Sequence, residues 1–302
     1  MKKHSSMALV VFAVCMVSYS GPMVKGALNE GASPISVALL RMLAAALLML
    51  PYEARRCVRR RIPMKLTPAQ WGLTALAAAF LAAHYITWIT SLTGTSTFAS
   101  VALVCTQPLF VAFFSYVLFR ERTPRRALPG ALLALLGAVT IALSGLSGQE
   151  AQATGQEALR SNLLALAGAV LMAAHWLAGR QIRQTLAAEV YTPVLYLITA
   201  ALLDLCLPLS GGFRMPLSAL PYMAGLVIGS TLLGHAVFAY ALSGVSANVI
   251  SFALLGEPVG AMIFSMIFFG EVPTWPVALG GLLTLVGLAL YLAFAGEEKQ
   301  PA

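Results

Sequence analysis

Residues Ser246–Phe269 read SANVISFALLGEPVGAMIFSMIFF, a run of twenty-four residues in which Glu257 is the single ionisable side chain. At about 1.5 Å of rise per residue, a helix of this length crosses the ~30 Å hydrocarbon layer of a bilayer. Glu257 is the twelfth residue and would lie near the middle of the membrane, where a charge is most costly. Pro258 removes a backbone donor and frees a carbonyl group one turn back. The run therefore predicts a kinked transmembrane helix with a carboxylate at its kink, which is typical of a helix that lines a pathway.

The whole chain has a membrane composition. Of its 302 residues, 59% are hydrophobic and 10% are charged, and the mean hydropathy is +0.84; soluble domains have about 25% charged residues. The net charge of +8 would suit an acidic partner, but the basic residues cluster in short loops between apolar runs, as bilayer topology produces. We expect a lipid-embedded protein without a nucleic-acid partner. The four cysteines form no CxxC pattern, so no disulfide, metal site or cofactor is expected.

The apolar segments also predict the topology. Fifteen of the nineteen Lys and Arg residues fall in segments on the side of the N-terminus, three fall on the opposite side, and Arg41 lies within a span. The positive-inside rule then places both termini in the cytoplasm, in a multi-pass protein of a prokaryotic inner membrane. Ten spans are predicted: Met7–Gly26, Pro34–Leu50, Trp71–Ser91, Ser96–Phe119, Pro129–Leu146, Asn162–Gly179, Thr192–Leu209, Leu220–Leu242, Ser246–Phe269 and Pro276–Ala295.

A repeat divides these spans five and five across the polar segment Leu146–Arg160. At an offset of 150 residues, Gln107-Pro108 matches Glu257-Pro258 and Glu121 matches Glu271, and the same offset relates Gly130 to Gly280 and Gly137 to Gly287. Because five is odd, the second copy must enter the membrane from the opposite side. We predict an all-α membrane protein of ten transmembrane helices built as two inverted five-helix repeats. Residues 1–146 form the first repeat, 147–160 an outer linker and 161–302 the second repeat.

These motifs resemble the EamA-type branch of the drug/metabolite transporter superfamily. In that branch each half ends in a Pro-containing span, a Gly-Glu turn and a Gly-rich span, and Leu40-Arg41 also fits its pattern. The first copy departs at Arg120, where glycine is usual, so its turn is expected to have a different shape. The resemblance implies ten helices around a central cavity lined mainly by spans 1, 3, 4, 6, 8 and 9, and secondary transport of small organic solutes.

Glu257 is the first candidate functional residue. Intramembrane acids are costly and tend to be functional, so we assign it to proton coupling or cation binding; the alternative is a structural carboxyl that caps the backbone groups freed by Pro258. Its counterpart Gln107 offers similar hydrogen bonding without a charge.

Histidines and aromatic residues supply further candidates within the spans. His84 and Trp88 lie at i and i+4 on one helical face of span 3, and the other candidates lie in spans expected to line the cavity: Tyr19, His175, Trp176, His235 and Tyr240. Together they predict a polar and aromatic cavity. The alternative is hydrogen bonding between helices by the histidines and plain packing by the aromatic rings. No ligand spacing indicates a metal site.

The remaining charged residues are expected to be structural. Arg41 and Asp204 lie in spans 2 and 7, which are predicted to be peripheral, and each is expected to snorkel or pair with polar neighbours. Lys25 at the end of span 1 is expected to be interfacial, although it would also suit an anionic solute. Glu121, among arginines, is expected to form an ion pair in a gate or a loop.

The sequence therefore predicts a carrier for a small amphipathic solute such as an amino acid, a related metabolite or an organic cation, and the family resemblance implies secondary active transport in the export direction. An aromatic cavity suits rings and ammonium groups. The alternatives are an intramembrane enzyme, which lacks support because no HExxH or GxSxG motif occurs, and a solute channel, which lacks filter-like segments and charged rings. The partners are the solute, the bilayer and, through Glu257, a proton; the oligomeric state is left open.

Overall fold

The structure is a computed structural model that describes residues 3–120, 124–144, 155–234 and 255–295. All regular elements in these ranges are helical. The helices are α1 (Lys3–Ser18), α2 (Ser20–Asn29), α3 (Pro34–Arg60), α4 (Pro68–Ser91), α5 (Thr97–Val104), α6 (Gln107–Phe119), α7 (Leu128–Ser144), α8 (Gly155–Ile182), α9 (Ala188–Leu205), α10 (Leu220–Ala224), α11 (Glu257–Phe269) and α12 (Trp275–Ala295). A π-helix, Gly225–Gly234, continues α10.

The predicted all-helical membrane fold is confirmed in its coarser features. Within the described ranges, eight helical segments are long and apolar enough to cross a bilayer: Val11–Asn29, Pro34–Arg60, Pro68–Ser91, Thr97–Phe119, Arg125–Ser144, Gly155–Ile182, Ala188–Leu205 and Trp275–Phe294. Two shorter apolar segments, Leu217–Leu233 and Glu257–Phe269, correspond to parts of predicted spans 8 and 9. Residues 235–242 of span 8 and 246–254 of span 9 lie outside the described residues, so the count of ten stays a prediction.

Prolines interrupt the helix in two of the membrane spans, four residues after the position where the helix ends. A proline lacks a backbone N–H, and its ring clashes with the carbonyl group four residues earlier. Pro22 follows Ser18 by four residues, and α1 ends at Ser18; Pro108 follows Val104 by four residues, and α5 ends at Val104. Helices α6 and α11 then begin at Gln107 and Glu257, each with proline as its second residue. The two matched motifs of the sequence thus start equivalent helices.

The turns that end these two helices also share a backbone conformation. Arg120 after α6 has φ 58° and ψ 22°, and Gly270 after α11 has φ 66° and ψ 16°. At its first residue, the turn after α6 therefore has the shape of its counterpart, contrary to expectation; its next residues, 121–123, lie outside the described ranges. A side chain in the left-handed region, which glycine adopts freely, costs roughly 1–2 kcal/mol. At Arg120 the backbone N–H donates to the carbonyl oxygens of Ser115 and Tyr116, and this capping of the helix end offsets the cost.

Glycines allow α7 and α12 to pack backbone against backbone. A Cβ atom at Gly137 would meet the backbone of Gly280 and Thr284, and one at Gly130 would meet that of Gly287. The contacts are reciprocal, because Gly280 and Gly287 likewise face backbone atoms of α7. Pairs of small residues of this kind permit close helix approach in membranes. The matched glycines of the two halves therefore pack on each other.

The helix bundle has two ends, which we name after a residue at each. At the Arg56 end, Glu189 at the start of α9 forms salt bridges with Arg56 (3.1 Å) and Arg60 (3.2 Å) of α3. At the Lys25 end lie the last turn of α2, the C-terminus of α4 and Glu271 after α11. The largest group of buried apolar side chains lies between these ends, among α2, α3, α4, α9 and the π-helix.

Candidate functional site

Helices α4 and α8 are joined by two histidines that exchange hydrogen bonds. His84 Nδ1 of α4 lies 2.9 Å from the carbonyl oxygen of Gly168, and His175 Nδ1 of α8 lies 2.9 Å from that of Ala77. A carbonyl oxygen only accepts, so Nδ1 donates in both and the other ring nitrogen, Nε2, faces elsewhere. Both histidines therefore make the interhelical hydrogen bonds that were the alternative to a role in the cavity.

An aromatic cluster surrounds His84 on the same face of α4. The Trp88 ring stacks near the His84 ring, with centroids 5.8 Å apart and planes at 12°, and Tyr85 lies 5.1 Å from His84. All three side chains are buried. The i and i+4 spacing of His84 and Trp88 thus produces the shared face that the sequence predicts, inside the bundle rather than on its surface.

Arg41 of α3 lies against this cluster, and the expectation of a peripheral arginine is wrong. Its side chain is 4% exposed. Its guanidinium carbon lies 5.1 Å from the centroid of the Tyr85 ring and 6.0 Å from that of Trp88. Its Nε donates to Thr231 Oγ1 and its NH1 group to Ser20 Oγ, both at 3.1 Å. Arg41 is therefore paired with polar neighbours, as expected, but in the interior.

The sequence contained a signal for this arginine. Arg41 is the cation that lies within a predicted span rather than at its end, and an intramembrane charge is by default a candidate for function. Because span 2 was assigned to the periphery, Arg41 was not counted among the candidate site residues. Ser20 and Thr231 carried no signal of their own, because single hydroxyl residues are common in membrane helices.

Glu257 and Gln107 occupy equivalent helix starts but have different surroundings. Glu257 is half-buried at the first residue of α11, close enough to Arg41 for their charges to interact. Gln107 is half-buried at the first residue of α6, and its buried Oε1 has no hydrogen-bond partner within the described part of the chain. Close approach of α11 to α1 depends on Gly260, where a Cβ atom would overlap the side chain of Ser18.

Other predicted site residues lie away from the aromatic cluster. Tyr19 packs edge-on against Phe264 (5.2 Å) and Phe268 (5.7 Å), in an apolar groove of about 400 Å³ between α1, the π-helix and α11. Trp176 is 54% exposed, and its placement in a cavity beside His175 stays a prediction. Consecutive helical residues point about 100° apart, and His175 is the one that faces α4.

Three residues singled out in the sequence have no described position, and the position of a fourth, Asp204, agrees with its prediction. His235, Tyr240 and Glu121 lie outside the described residues. Asp204 is exposed near the end of α9, as expected of a peripheral residue.

A buried network joins three segments at the Lys25 end, which corrects the interfacial assignment of Lys25. The lysine is 6% exposed. Its Nζ donates to the carbonyl oxygens of Leu92 (2.6 Å) and Thr95 (3.3 Å) and lies 3.7 Å from Glu271 Oε1. The other oxygen of Glu271 accepts from the backbone N–H of Thr97 at 3.1 Å. We call these five residues the latch; it connects α2, the α4–α5 turn and the turn after α11.

A cleft opens at the opposite, Arg56 end. Its volume is about 710 Å³, which is in the range of sites for small molecules. The start of α4 and the ends of α6 and α8 form its walls, and the Arg180 guanidinium lies 5.5 Å from the centroid of the Phe119 ring. The lining residues are Thr67, Ala69, Gln70, Leu73, Phe119, Arg180, Gln181, Gln184 and Thr185.

Apolar spanning helices around a buried cation, a carboxyl group and aromatic rings define a multi-pass membrane protein with a polar interior. The chain belongs to the EamA-like transporter family, whose profile matches residues 4–143 and again residues 159–293. A solved structure titled "Crystal structure of protein" has a similar fold, with a TM-score of 0.63 and 18% sequence identity over 98% of this chain and 100% of that one. At that identity the likeness concerns the fold alone. No curated protein matches the chain.

Proposed function

We propose that the protein is a secondary active transporter that exports a small amphipathic organic solute by alternating access. The observation that carries the proposal is the difference between the two ends of the bundle. The latch ties three segments together at the Lys25 end, whereas a cleft of about 710 Å³ opens at the Arg56 end. A carrier needs one closed end and one open end in each state, whereas a conducting channel is open at both.

An inverted repeat of five plus five spans would allow the two ends to exchange roles. The reciprocal packing of the matched glycines on α7 and α12 supports this symmetry, because a two-fold axis between two equivalent helices generates pairs of exchanged contacts. The equivalent starts of α6 and α11 and the equivalent turns at Arg120 and Gly270 support it as well.

Solute and coupling ion are assigned to the interior between α2, α3, α4, α11 and the π-helix. The aromatic cluster offers a flat apolar surface, suited to the apolar part of an amino acid, a related metabolite or an organic cation. Glu257 is the acid of this interior, and we assign it to binding a proton or a cationic group. Gln107 gives the first half the same position without a titrating group.

The proposed location is a prokaryotic inner membrane, with both termini in the cytoplasm. The arginines at the end of α3 and the start of α7 support this orientation, because basic residues accumulate on the cytoplasmic side. The Arg56 end then faces the cytoplasm, and its cleft is the entrance from which an exported solute would bind.

Reconstitution in vesicles tests the proposal against its alternatives. The purified protein should move labelled apolar amino acids or organic cations with a rate that saturates, and an excess of unlabelled solute on the far side should accelerate the flux by exchange. The solute should leave chemically unchanged. Flux that rises linearly with concentration would indicate a channel, and a changed product would indicate an enzyme; either result would refute the carrier.

A further inference from the structure

Arg41 is held in an unusual position for a cation. It lies seven residues after the first residue of α3, which is ~10 Å along the helix axis, and its side chain is 4% exposed. Its guanidinium group lies against two aromatic rings, those of Tyr85 and Trp88. The remaining contacts come from two hydroxyl groups, those of Ser20 and Thr231.

These contacts leave much of the guanidinium group's hydrogen-bonding capacity unused. The group has five N–H donors in a planar fork that matches a carboxylate, and two of its nitrogens donate to the hydroxyl oxygens. In the described part of the chain, no carboxylate lies within salt-bridge distance of Arg41. The carboxyl group of Glu257 is close enough for its charge to interact with Arg41 but lies beyond salt-bridge distance. A buried charge is most stable when an opposite charge contacts it directly, so the site favours an anionic ligand.

Further polar groups without partners lie in the same segments. Trp88 Nε1, which can only donate, is buried and has no hydrogen-bond partner among the described residues. The hydroxyl groups of Ser18 and Ser230 are also buried and have no hydrogen-bond partner among the described residues. Ser18 lies two residues before Ser20, and Ser230 lies one residue before Thr231. Buried polar groups are normally hydrogen-bonded. These groups lie on the segments that contact Arg41, and the Ser18 side chain faces Gly260 of α11. Trp88 Nε1 is therefore the donor without a partner whose ring is itself in contact with Arg41.

We infer that Arg41 is a solute-binding residue whose guanidinium group, between the Trp88 and Tyr85 rings and two hydroxyl groups, binds a carboxylate of the transported solute. Trp88 Nε1 is a second donor to that carboxylate, and the ring faces hold the apolar part beside it. The inference rests on the proposed transport function and specifies the solute as a carboxylate with an apolar or aromatic part. An organic cation without an anionic group would offer the Arg41 guanidinium group no carboxylate at hydrogen-bonding distance.

The experiment compares pairs of ligands in which one member has a carboxylate and the other has a carboxamide in its place. Leucine, phenylalanine and tryptophan are each paired with their carboxamides at about pH 6, where both members carry an ammonium group. Dissociation constants are measured on the purified protein by calorimetry. For at least one pair, we expect the carboxylate to bind the wild type roughly ten- to a hundredfold more tightly than the amide, because a charged hydrogen bond is replaced by a neutral one.

Variants then assign the preference to Arg41. Arg41→Gln should abolish the preference while amide binding persists, and Arg41→Lys should keep part of it, because the charge remains without the fork. Arg214→Gln removes an exposed arginine and should leave the preference unchanged. If Arg41→Gln fails to fold, Trp88→Phe replaces it: this change removes the Nε1 donor but keeps a ring, and it should reduce the preference severalfold.

Several results would overturn the inference. One is a wild type that binds no ligand of the panel, and another is a wild type that binds carboxylates and amides equally tightly. A third is an Arg41→Gln or Trp88→Phe protein that retains the full preference for the carboxylate. An Arg41→Gln protein that weakens both members of a pair equally would show a structural role instead. Saturable transport of organic cations without any carboxylate preference would refute this inference and leave the carrier standing, whereas absence of carrier flux in vesicles would refute the proposed function itself.

Discussion

His84 and His175 stand in a reciprocal relationship: each donates from Nδ1, over 2.9 Å, to a backbone carbonyl oxygen on the helix that carries the other. On each helix the histidine and the accepting residue are seven positions apart, which is two turns. The two bonds therefore fix both the distance and the register of α4 against α8.

We predict that His84→Leu and His175→Leu each lower the free energy of unfolding by about 1 kcal/mol, the net value of one hydrogen bond. Asparagine at either position should restore most of the loss, because its amide nitrogen can occupy the place of Nδ1. Only His84 stacks on Trp88, so only His84→Leu should also raise the solute concentration for half-maximal transport. Thermal unfolding and transport assays measure the two effects. A transport defect confined to His175→Leu would contradict the assignment.

Glu257→Gln should preserve the fold and abolish concentrative transport driven by a pH gradient. Glutamine keeps the size and hydrogen-bonding groups of the side chain but does not titrate, as Gln107 already illustrates in the other half. Exchange of solute between two equal pools should survive. Glu30→Gln, an exposed acid at the end of α2, is the matched control. Gradient-driven accumulation by Glu257→Gln at the wild-type level would assign Glu257 a structural role.

Glu271→Ala should release the latch. It removes the ion pair with Lys25 and the acceptor of the Thr97 N–H, and hydrogen bonds to charged groups are worth about 1.5–3 kcal/mol. Amide exchange in residues 92–97 should therefore accelerate by ten- to a hundredfold, as followed by mass spectrometry. Glu30→Ala makes the same change at an exposed site of the same end. Equal exchange in both variants would show that these contacts do not hold the end closed.

Gly137→Ala should destabilise the protein by about 1–3 kcal/mol, the usual cost of overpacking, because its Cβ atom would overlap the backbone of Gly280 and Thr284. Gly72→Ala is the control: no atom lies within 4 Å of a Cβ there, and alanine should stabilise α4 by up to about 1 kcal/mol. Thermal unfolding in detergent distinguishes the two. Tolerance of Gly137→Ala equal to that of Gly72→Ala would mean that α7 and α12 do not touch through their backbones.

Cysteine labelling tests the orientation. The native Cys57 is 2% exposed and would escape a thiol reagent on either side, so it is no reporter. In a variant without native cysteines, an impermeant reagent added to whole cells should label Leu217→Cys and miss Met64→Cys, which replace residues 84% and 55% exposed at opposite ends. Labelling of Met64→Cys from outside would reverse the proposed topology.

The parts of the fold that depend on local chemistry could be predicted from the sequence. The family and the all-helical membrane class followed from apolar length and repeated motifs. The ends of α1 and α5 follow from the missing N–H groups of Pro22 and Pro108. These properties belong to a residue and its near neighbours, and they are the same in any surrounding structure.

The site was harder to predict, because the direction in which a helix face points is a tertiary property. Arg41 and Lys25 were assigned to a periphery and an interface, yet both are buried. In each case the residue type was read correctly, and its neighbours were unknown.

The glycine contact between α7 and α12 also limits how the two halves can move. Where backbone lies on backbone, a slide along the helix axis would bring side chains one turn away on the same face, such as Ile141 and Thr284, against the opposite backbone. A small rotation about the contact encounters no such obstacle. We therefore expect α7 and α12 to act as a fulcrum that stays nearly fixed, while the helices at the Lys25 and Arg56 ends swing through the largest distances.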